Sequence, residues 1–262
     1  VDEVILLVGT NSDWETEGND RTDFNLPGDQ NRLIEQVLDI NPNAVIVLNT
    51  GSPVNMPWVN KAKSILQSWY AGQEYGNALF EILTGLVNPS GKLPTTFPKC
   101  IEDTPAYECY PGENLQMNYD EKLFIGYKWY DKKNIEPLFH FGHGLSYTDF
   151  KYSNLNINKS AENNFTFAFD ITNTGNHSGY EISQCYISFV NHDDEEPIKK
   201  LQGFDKTFIN SGETKKIEIC LDLRNFSTWD VKTHQWQVKK GKYEILIGSS
   251  SNDIRLKDHI NL

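Results

Sequence analysis

The chain has 262 residues, enough for one large domain or two of ordinary size, and its formal net charge is −12. This acidic balance argues against nucleic acid or an anionic membrane as a partner, because both require a basic surface. A neutral ligand fits this charge better. No apolar run approaches the ~20 residues that span a bilayer, so we expect no membrane association.

Residues 1–98 alternate short apolar runs with segments of helical period. Three apolar runs predict strands, at residues 4–8, 44–48 and 64–66. The first two runs are continuous, as expected for strands that are covered on both faces. Apolar residues recur at helical spacing in 33–38 and 78–83. This order predicts a parallel sheet with helices packed against it.

The predicted parallel sheet is incomplete. Two or three strands are too few for a buried parallel sheet, because the unpaired edges leave backbone groups unsatisfied and the apolar faces uncovered. We therefore expect the missing strands to come from another chain or from a larger fold. The chain also starts directly in a strand, which favours an upstream portion that has been removed or is carried on another polypeptide.

An acidic turn follows the first predicted strand, at residues 14–21. A carboxylic acid that donates a proton near neutral pH needs partial burial, because burial disfavours the charged form and raises the pKa. Glu17, close to Trp14, suits the role of general acid. The alternative interpretation is an exposed acidic turn with a local ion pair between Asp20 and Arg21.

Residues 99–150 form a connector rich in aromatic residues, Pro and Gly. Within it, residues 124–130 predict a strand. The loop at residues 139–147 contains two histidines among aromatic side chains. Such a loop either lines a sugar site or packs at a domain junction, and we favour packing.

From residue 151 to residue 262 the apolar period changes to two. Apolar side chains alternate with polar ones in three segments, at residues 164–171, 217–223 and 243–247. Residues 173–176 form a turn signal after the first of them. Several half-covered strands separated by polar turns predict an antiparallel β-sandwich of about 100 residues.

Four N-glycosylation sequons lie in this last part of the chain, at Asn158, Asn164, Asn176 and Asn225. Four sequons in one acidic chain predict N-glycans and favour a secreted protein of a glycosylating cell, with a lysosomal or vacuolar location as the alternative. Such compartments permit disulfides.

Four cysteines allow three disulfide pairings, and Cys100 and Cys109 are the nearest in sequence. Cys185 shares the apolar face of its predicted strand, whereas Cys220 shares the polar face of its own. This difference argues against a pair between Cys185 and Cys220.

Several motifs that would indicate other chemistry are absent from the sequence. It contains no zinc-ligand spacing, no Gly-x-Ser-x-Gly nucleophile elbow and no glycine-rich dinucleotide or phosphate loop. We therefore expect neither a metal nor a cofactor, and carboxylate chemistry is what remains.

An ordered series of motifs resembles the carboxyl-terminal α/β domain of glycoside hydrolase family 3, the β-glucosidase family. The motifs are Glu-Gly-Asn-Asp-Arg at 17–21, Leu-Pro-Gly at 26–28, Gly-Ser-Pro-Val at 51–54, Trp-Tyr-Ala-Gly-Gln-Glu at 69–74, Asn-Pro-Ser-Gly-Lys-Leu-Pro at 88–94 and Phe-Gly-His-Gly-Leu-Ser-Tyr at 141–147. The tail resembles that family's fibronectin type III-like domain, at residues 173–175, 201–204 and 241–248. One departure is His140, where relatives usually carry proline.

The resemblance implies an α/β sandwich domain, here incomplete, at 1–98 and a fibronectin type III-like domain at 151–262. It also implies a retaining mechanism in which Glu17 is the acid/base. Glu15, two residues away, is the alternative for that role. Trp14 and Glu15 are the candidate substrate contacts. The nucleophile of the family is an aspartate in an amino-terminal (β/α)8 barrel, which is the expected partner. Asp13 lies in a short motif like the one around that nucleophile, which we interpret as coincidence.

The function expected from the resemblance is hydrolysis of terminal, non-reducing β-D-glucosyl residues by the carboxyl-terminal chain of a larger, two-chain or homo-oligomeric enzyme. One alternative is a β-xylosidase of the same family. Another is a non-catalytic carbohydrate-binding or assembly module. An activity that depends on Glu17 would separate the enzyme from the module.

Overall fold

The computed structural model describes residues 3–18, 20–21, 23–162 and 164–262. The chain divides into two compact units. The first unit runs to Thr84 and includes Phe97–Thr104, and the second comprises Gly85–Thr96 and Pro105–Leu262.

The first unit is an α/β structure built on three parallel strands. Its elements are β1 (Ile5–Gly9), α1 (Gln30–Ile40), β2 (Val45–Asn49), β3 (Ser64–Gln67) and α2 (Tyr75–Leu83). The strand order is β1-β2-β3, with Ile5 opposite Val45 and Val45 opposite Ser64. The predicted parallel sheet and its two helices are confirmed.

Burial in this unit is concentrated on the central strand. Residues 46–48 of β2 are fully buried, and α1 buries Ile34 and Leu38. The flanking elements keep apolar surface in solvent: Ile5 and Leu7 of β1 are 49% and 54% exposed, and all nine residues of α2 are at least partly exposed. A sheet of three strands thus leaves apolar side chains uncovered.

The second unit is an antiparallel β-sandwich with an added hairpin, as the period of two predicts. Its strands are β4 (Phe150–Lys159), β5 (Phe165–Asn173), β6 (Gly179–Phe189), β7 (Lys200–Ile209), β8 (Thr214–Leu221), β9 (Ser227–Asp230), β10 (Gln235–Val238), β11 (Lys242–Gly248) and β12 (Ile254–Asn261). One sheet has the order β12-β11-β6-β7 and the other β4-β5-β8, while β9 and β10 pair as the hairpin.

The core of the sandwich consists of inward-facing side chains from both sheets. Phe165, Phe167 and Phe169 of β5 are 1% exposed or less, as are Ile245 and Ile247 of β11. Because successive strand residues point to opposite faces, these positions share one face in each strand. Burial of each such side chain contributes about 1.5–3 kcal/mol. In β8, buried side chains alternate with exposed ones up to Leu221, where the strand ends.

The strand predicted at residues 124–130 is wrong. A helix, α3, runs from Tyr127 to Lys133 and ends at Asn134, whose left-handed conformation lets the N–H of Ile135 donate to the Tyr130 carbonyl at 3.0 Å. Tyr127 and Tyr130 are three residues apart and both buried, so tertiary packing overrides the strand preference of the aromatic residues. The Tyr127 ring stacks on Phe141, with ring centroids 5.0 Å apart.

The loop with two histidines packs against the β-sandwich within the second unit. The carbonyl of Gly142 accepts a hydrogen bond from Gln184 Nε2 at 3.2 Å, and that of Phe141 accepts one from the N–H of Ser251 at 2.9 Å. His143 stacks on Phe139, with centroids 5.4 Å apart. A Cβ at Gly142, where φ is +80°, would lie 2.3 Å from Gln184 Oε1, so close approach requires glycine here.

All four cysteines lie within the described residues and carry free thiols. Cys185 is buried and Cys220 is exposed, as the alternation in their strands predicts. Among the described helices, none is both long and apolar enough to span a bilayer.

Candidate active site

The acidic loop lies at the carboxyl end of the parallel sheet. It follows β1, while Gly51 and Ser52 follow β2 and Tyr70 follows β3. In open α/β sheets, ligands bind outside the carboxyl ends of the strands. The side chains of all three connections meet at Glu15, which therefore defines the centre of the site.

One carboxylate oxygen of Glu15, Oε2, binds to the connections after all three strands. The Tyr70 hydroxyl donates to it at 2.5 Å, the Gly51 N–H at 2.7 Å and the Thr10 hydroxyl at 3.0 Å. The hydroxyls of Thr10 and Tyr70 are also only 2.6 Å apart. The loop is thereby tied to the ends of β1, β2 and β3.

The other oxygen of Glu15, Oε1, lies against a hydroxyl and a guanidinium group. The Ser52 hydroxyl donates to Oε1 at 2.5 Å, and Arg21 NH1 lies 3.3 Å from it in an ion pair. Arg21 NH1 also donates to Ser52 Oγ at 2.8 Å. The two ends of the loop segment from Glu15 to Arg21 are thus joined through the side chains themselves.

These contacts shift two ionisation equilibria. Burial by itself raises the pKa of Glu15, but hydrogen bonds from its four uncharged donors outweigh burial and hold the pKa below its ordinary value of 4.5. Burial and the hydrogen bond to Glu15 both raise the pKa of Tyr70 above 10.0. Glu15 is therefore an anion and Tyr70 a neutral donor near neutral pH.

Glu17 occupies a different environment from Glu15. Its side chain is exposed and lines an open depression, whereas the Glu15 side chain in the same depression is only 13% exposed. The depression is lined by Trp14, Glu15, Thr16, Glu17, Asp20, Arg21, Gly51, Ser52 and Tyr70. An exposed carboxyl beside a rigid polar cluster is free to meet a ligand that enters the depression.

Trp14 also lines the depression and is half-buried. Its indole nitrogen is shielded from solvent and has no hydrogen-bond partner among the described residues. The backbone N–H groups of Trp14 and Glu15 both donate to the carbonyl of Asn11, at 3.0 and 2.8 Å. The side chains of Trp14 and Glu15, both in this turn, line the depression.

The structure brings together the three predicted site residues, Trp14, Glu15 and Glu17. Sequence reasoning missed the roles of Thr10, Ser52 and Tyr70. A signal for all three was present, because each follows a predicted strand and the carboxyl ends of parallel strands share one edge of a sheet. Among the described residues, no group of three or more His, Cys, Asp or Glu side chains is placed to hold a metal ion.

Models of two known protein families match this chain. The model of the glycosyl hydrolase family 3 C-terminal domain matches residues 1–147, and that of the fibronectin type III-like domain matches residues 181–251. The thermostable beta-glucosidase B of Acetivibrio thermocellus is 44% identical over 100% of this chain and 35% of its own length. Beta-glucosidase B of Emericella nidulans is 41% identical over 100% of this chain and 32% of its own length.

Solved structures agree with these matches. The crystal structure of beta-glucosidase from Kluyveromyces marxianus in complex with glucose superimposes with a TM-score of 0.95 and 37% identity, over 99% of this chain and 31% of that one. The chain thus spans about a third of the length of the curated relatives it matches. It belongs to glycosyl hydrolase family 3, of which it carries the C-terminal domain and the fibronectin type III-like domain.

Proposed function

We propose that this chain is the carboxyl-terminal part of a retaining β-glucosidase and that Glu17 is its general acid/base. The observation that carries the proposal is the position of Glu17: an exposed carboxyl at the carboxyl end of the sheet, on a loop held by Glu15. Relatives that cover the whole chain are named as beta-glucosidases, which supports the same reaction here.

The proposed reaction uses two carboxyl groups about 5 Å apart. A carboxylate attacks the anomeric carbon while Glu17 gives its proton to the glycosidic oxygen, so the aglycone leaves as an alcohol and a glycosyl-enzyme ester forms. Glu17, now a carboxylate, then takes a proton from water as the water attacks the ester. The sugar is released with its original anomeric configuration, and both carboxyl groups return to their starting states.

We assign the nucleophile to an aspartate of an amino-terminal (β/α)8 barrel and not to Asp13. The relatives are about three times as long as this chain, which leaves room for such a barrel. Uncovered apolar side chains on β1 and α2, including Phe80 at 59% exposure, are surfaces that further protein would bury. A barrel above the depression would also exclude water from the reaction.

Of the two candidate sugar contacts near Glu17, we propose Trp14 and not Glu15. Trp14 lines the depression and presents an aromatic surface, which suits the apolar face of a glucosyl ring. Glu15 lines it too, but both of its oxygens already accept hydrogen bonds from the chain. No charged group of the ligand is required, in keeping with a neutral substrate.

We also propose that the protein is secreted, or lies in a lysosome or vacuole, with N-glycans at Asn158, Asn164 and Asn176. All three side chains are exposed. Asn225 is less suitable, because its amide nitrogen donates to Gln202 Oε1 at 3.1 Å and its oxygen accepts from the N–H of Asp222 at 3.0 Å. Mass mapping of glycopeptides from the native protein tests each site.

The test of the function is hydrolysis of an activated aryl β-glucoside by the full-length polypeptide that carries this chain. We compare wild type, Glu17→Ala and the matched surface control Asp39→Asn, each with and without azide. An activated leaving group needs little proton donation, so Glu17→Ala should mainly slow deglycosylation, by about 10²–10⁴-fold. Azide, a nucleophile that needs no general base, should restore turnover and yield glucosyl azide.

Two outcomes would overturn the proposal. Glu17→Ala with wild-type activity would move the acid/base role to another residue. A wild-type protein without glycosidase activity, but with affinity for glucans, would favour the non-catalytic module. The same assay with an aryl β-xyloside separates the β-xylosidase from the β-glucosidase.

A further inference from the structure

We infer that Glu15 is a positioning residue: its carboxylate locks the Glu17 loop to the ends of three strands, and an amide in its place cannot do so. This inference rests on the proposed function of Glu17. It concerns the orientation of the acid/base and not the binding of the sugar.

The hydrogen bonds of Glu15 connect residues that lie far apart along the chain. Glu15 Oε2 binds Thr10 after β1, Gly51 after β2 and Tyr70 after β3, with separations of up to 55 residues. Glu17 is only two residues from Glu15 and has an exposed side chain. The Glu15 contacts therefore limit where the Glu17 carboxyl can lie.

Both oxygens of Glu15 face groups that donate hydrogen bonds. The Gly51 N–H and the Arg21 guanidinium can only donate, and they face different oxygens of Glu15. A glutamine at position 15 would have to turn its NH₂ toward one of these two donors. Either orientation places two donors against each other, so an ionised carboxylate is the one group of this shape that satisfies both sides.

The carboxylate of Glu15 has no spare capacity to accept a hydrogen bond from a substrate. An ionised carboxylate offers about four lone-pair sites, and Glu15 already accepts hydrogen bonds from five residues of the chain: Thr10, Arg21, Gly51, Ser52 and Tyr70. Its side chain is 13% exposed. A sugar hydroxyl therefore finds no free acceptor on Glu15, which separates this residue from a direct substrate contact.

The experiment measures kcat/KM of the full-length enzyme for two substrates with the same sugar, phenyl β-glucoside and 2,4-dinitrophenyl β-glucoside. Phenol is a poor leaving group, so cleavage of the first substrate depends on proton donation by Glu17. Dinitrophenolate is a good leaving group, so cleavage of the second substrate does not. Misplacement of a catalytic group by about 1 Å costs about 10²-fold. We expect Glu15→Gln to lose about that factor on phenyl β-glucoside and far less on the dinitrophenyl substrate.

The pair of substrates distinguishes positioning from the other roles. A sugar contact or a general loss of folded enzyme would lower kcat/KM equally for both substrates, because their sugar is identical. Equal losses, or no loss, would overturn the inference. Asp39→Asn removes the same charge from the surface helix α1 and should change neither value.

A milder variant covers the case in which Glu15→Gln does not fold. Tyr70→Phe removes a single donor to Glu15 and keeps the ring. It should show the same preference for the dinitrophenyl substrate with a smaller loss, and equal losses on both substrates would again overturn the inference.

The proposed function is tested independently of this result: it fails if Glu17→Ala keeps its kcat/KM on phenyl β-glucoside, whatever the effect of Glu15→Gln.

Discussion

The backbone N–H of Gly51 donates a 2.7 Å hydrogen bond to Glu15 Oε2, and the space beside Gly51 is already filled by the same carboxylate. A Cβ at this position would lie 2.7 Å from Glu15 Oε2 and 2.9 Å from Cε2 of Tyr70. The glycine therefore permits the connection after β2 to approach the carboxylate closely.

Gly51→Ala should push Glu15 and Tyr70 apart and destabilise the first unit by about 1–3 kcal/mol, the usual cost of an overpacked site. Chemical denaturation with a probe in this unit measures the change. Gly76→Ala is the matched control, because outside the helix's own backbone no atom of the described residues lies within 4 Å of its added Cβ, and alanine is a better helix former. Equal stability of Gly51→Ala and wild type would show that the network tolerates rearrangement.

The stability of the first unit should depend on pH through Glu15. Its folded pKa lies below 4.5, so its ionised contacts contribute stability that is fully present above the unfolded pKa and is lost as pH falls through the folded value. Wild type should therefore lose more unfolding free energy than Glu15→Gln between about pH 6 and pH 3. Parallel pH curves for the two proteins would contradict the lowered pKa.

The second unit contains a buried acidic group with two partners. The Tyr152 hydroxyl donates to Glu181 Oε1 at 2.7 Å, and Lys92 Nζ lies 3.6 Å from Oε2. Lys92→Met removes the ion-pair partner of this carboxylate and should cost about 3–5 kcal/mol, as for other broken buried pairs. Urea denaturation gives the value.

A matched exposed pair serves as the control for that substitution. Lys122 and Glu195 are 3.0 Å apart but mostly exposed, so Lys122→Met should cost less than about 1 kcal/mol. Adding Glu181→Gln to Lys92→Met should recover part of the loss, since the amide removes the unpaired charge. A double variant less stable than Lys92→Met alone would be inconsistent with this explanation.

The aromatic core of the sandwich predicts a large difference between two phenylalanines. Phe167 is fully buried between the sheets, whereas Phe204 on β7 is 68% exposed. Phe167→Ala should lower the unfolding free energy by about 3–5 kcal/mol through lost burial and a cavity. Phe204→Ala should change it by about 0.5 kcal/mol or less, and similar losses for both would contradict the assigned faces of the strands.

Two cysteines on facing sheets should differ in reactivity. Burial raises the pKa of Cys185 to about 12, and its side chain is inaccessible, whereas Cys220 is exposed on β8. A thiol reagent at pH 8 should label Cys220 in the folded protein and Cys185 only after unfolding. Labelling followed by peptide mass analysis tests this, and rapid native labelling of Cys185 would contradict its position.

Local patterns in the sequence were sufficient for much of the fold. The period of two in β5, β8 and β11 predicts the sandwich, because it follows directly from the alternation of side chains along a strand. The same reasoning places Cys185 inside and Cys220 outside. It fails at α3, where aromatic residues favour a strand but Tyr127 and Tyr130 are buried at helical spacing.

The candidate site was only partly predictable. The acidic turn identifies Glu17 and Glu15 by composition and by its resemblance to a family motif. The different environments of the two carboxyl groups depend on partners of Glu15 that are 36 residues away at Gly51 and 55 residues away at Tyr70. Such distant partners leave no periodic pattern in the local sequence. Only the parallel packing of β1, β2 and β3 brings these groups to one edge, and there it leaves one carboxylate fully bonded and the other open to a ligand.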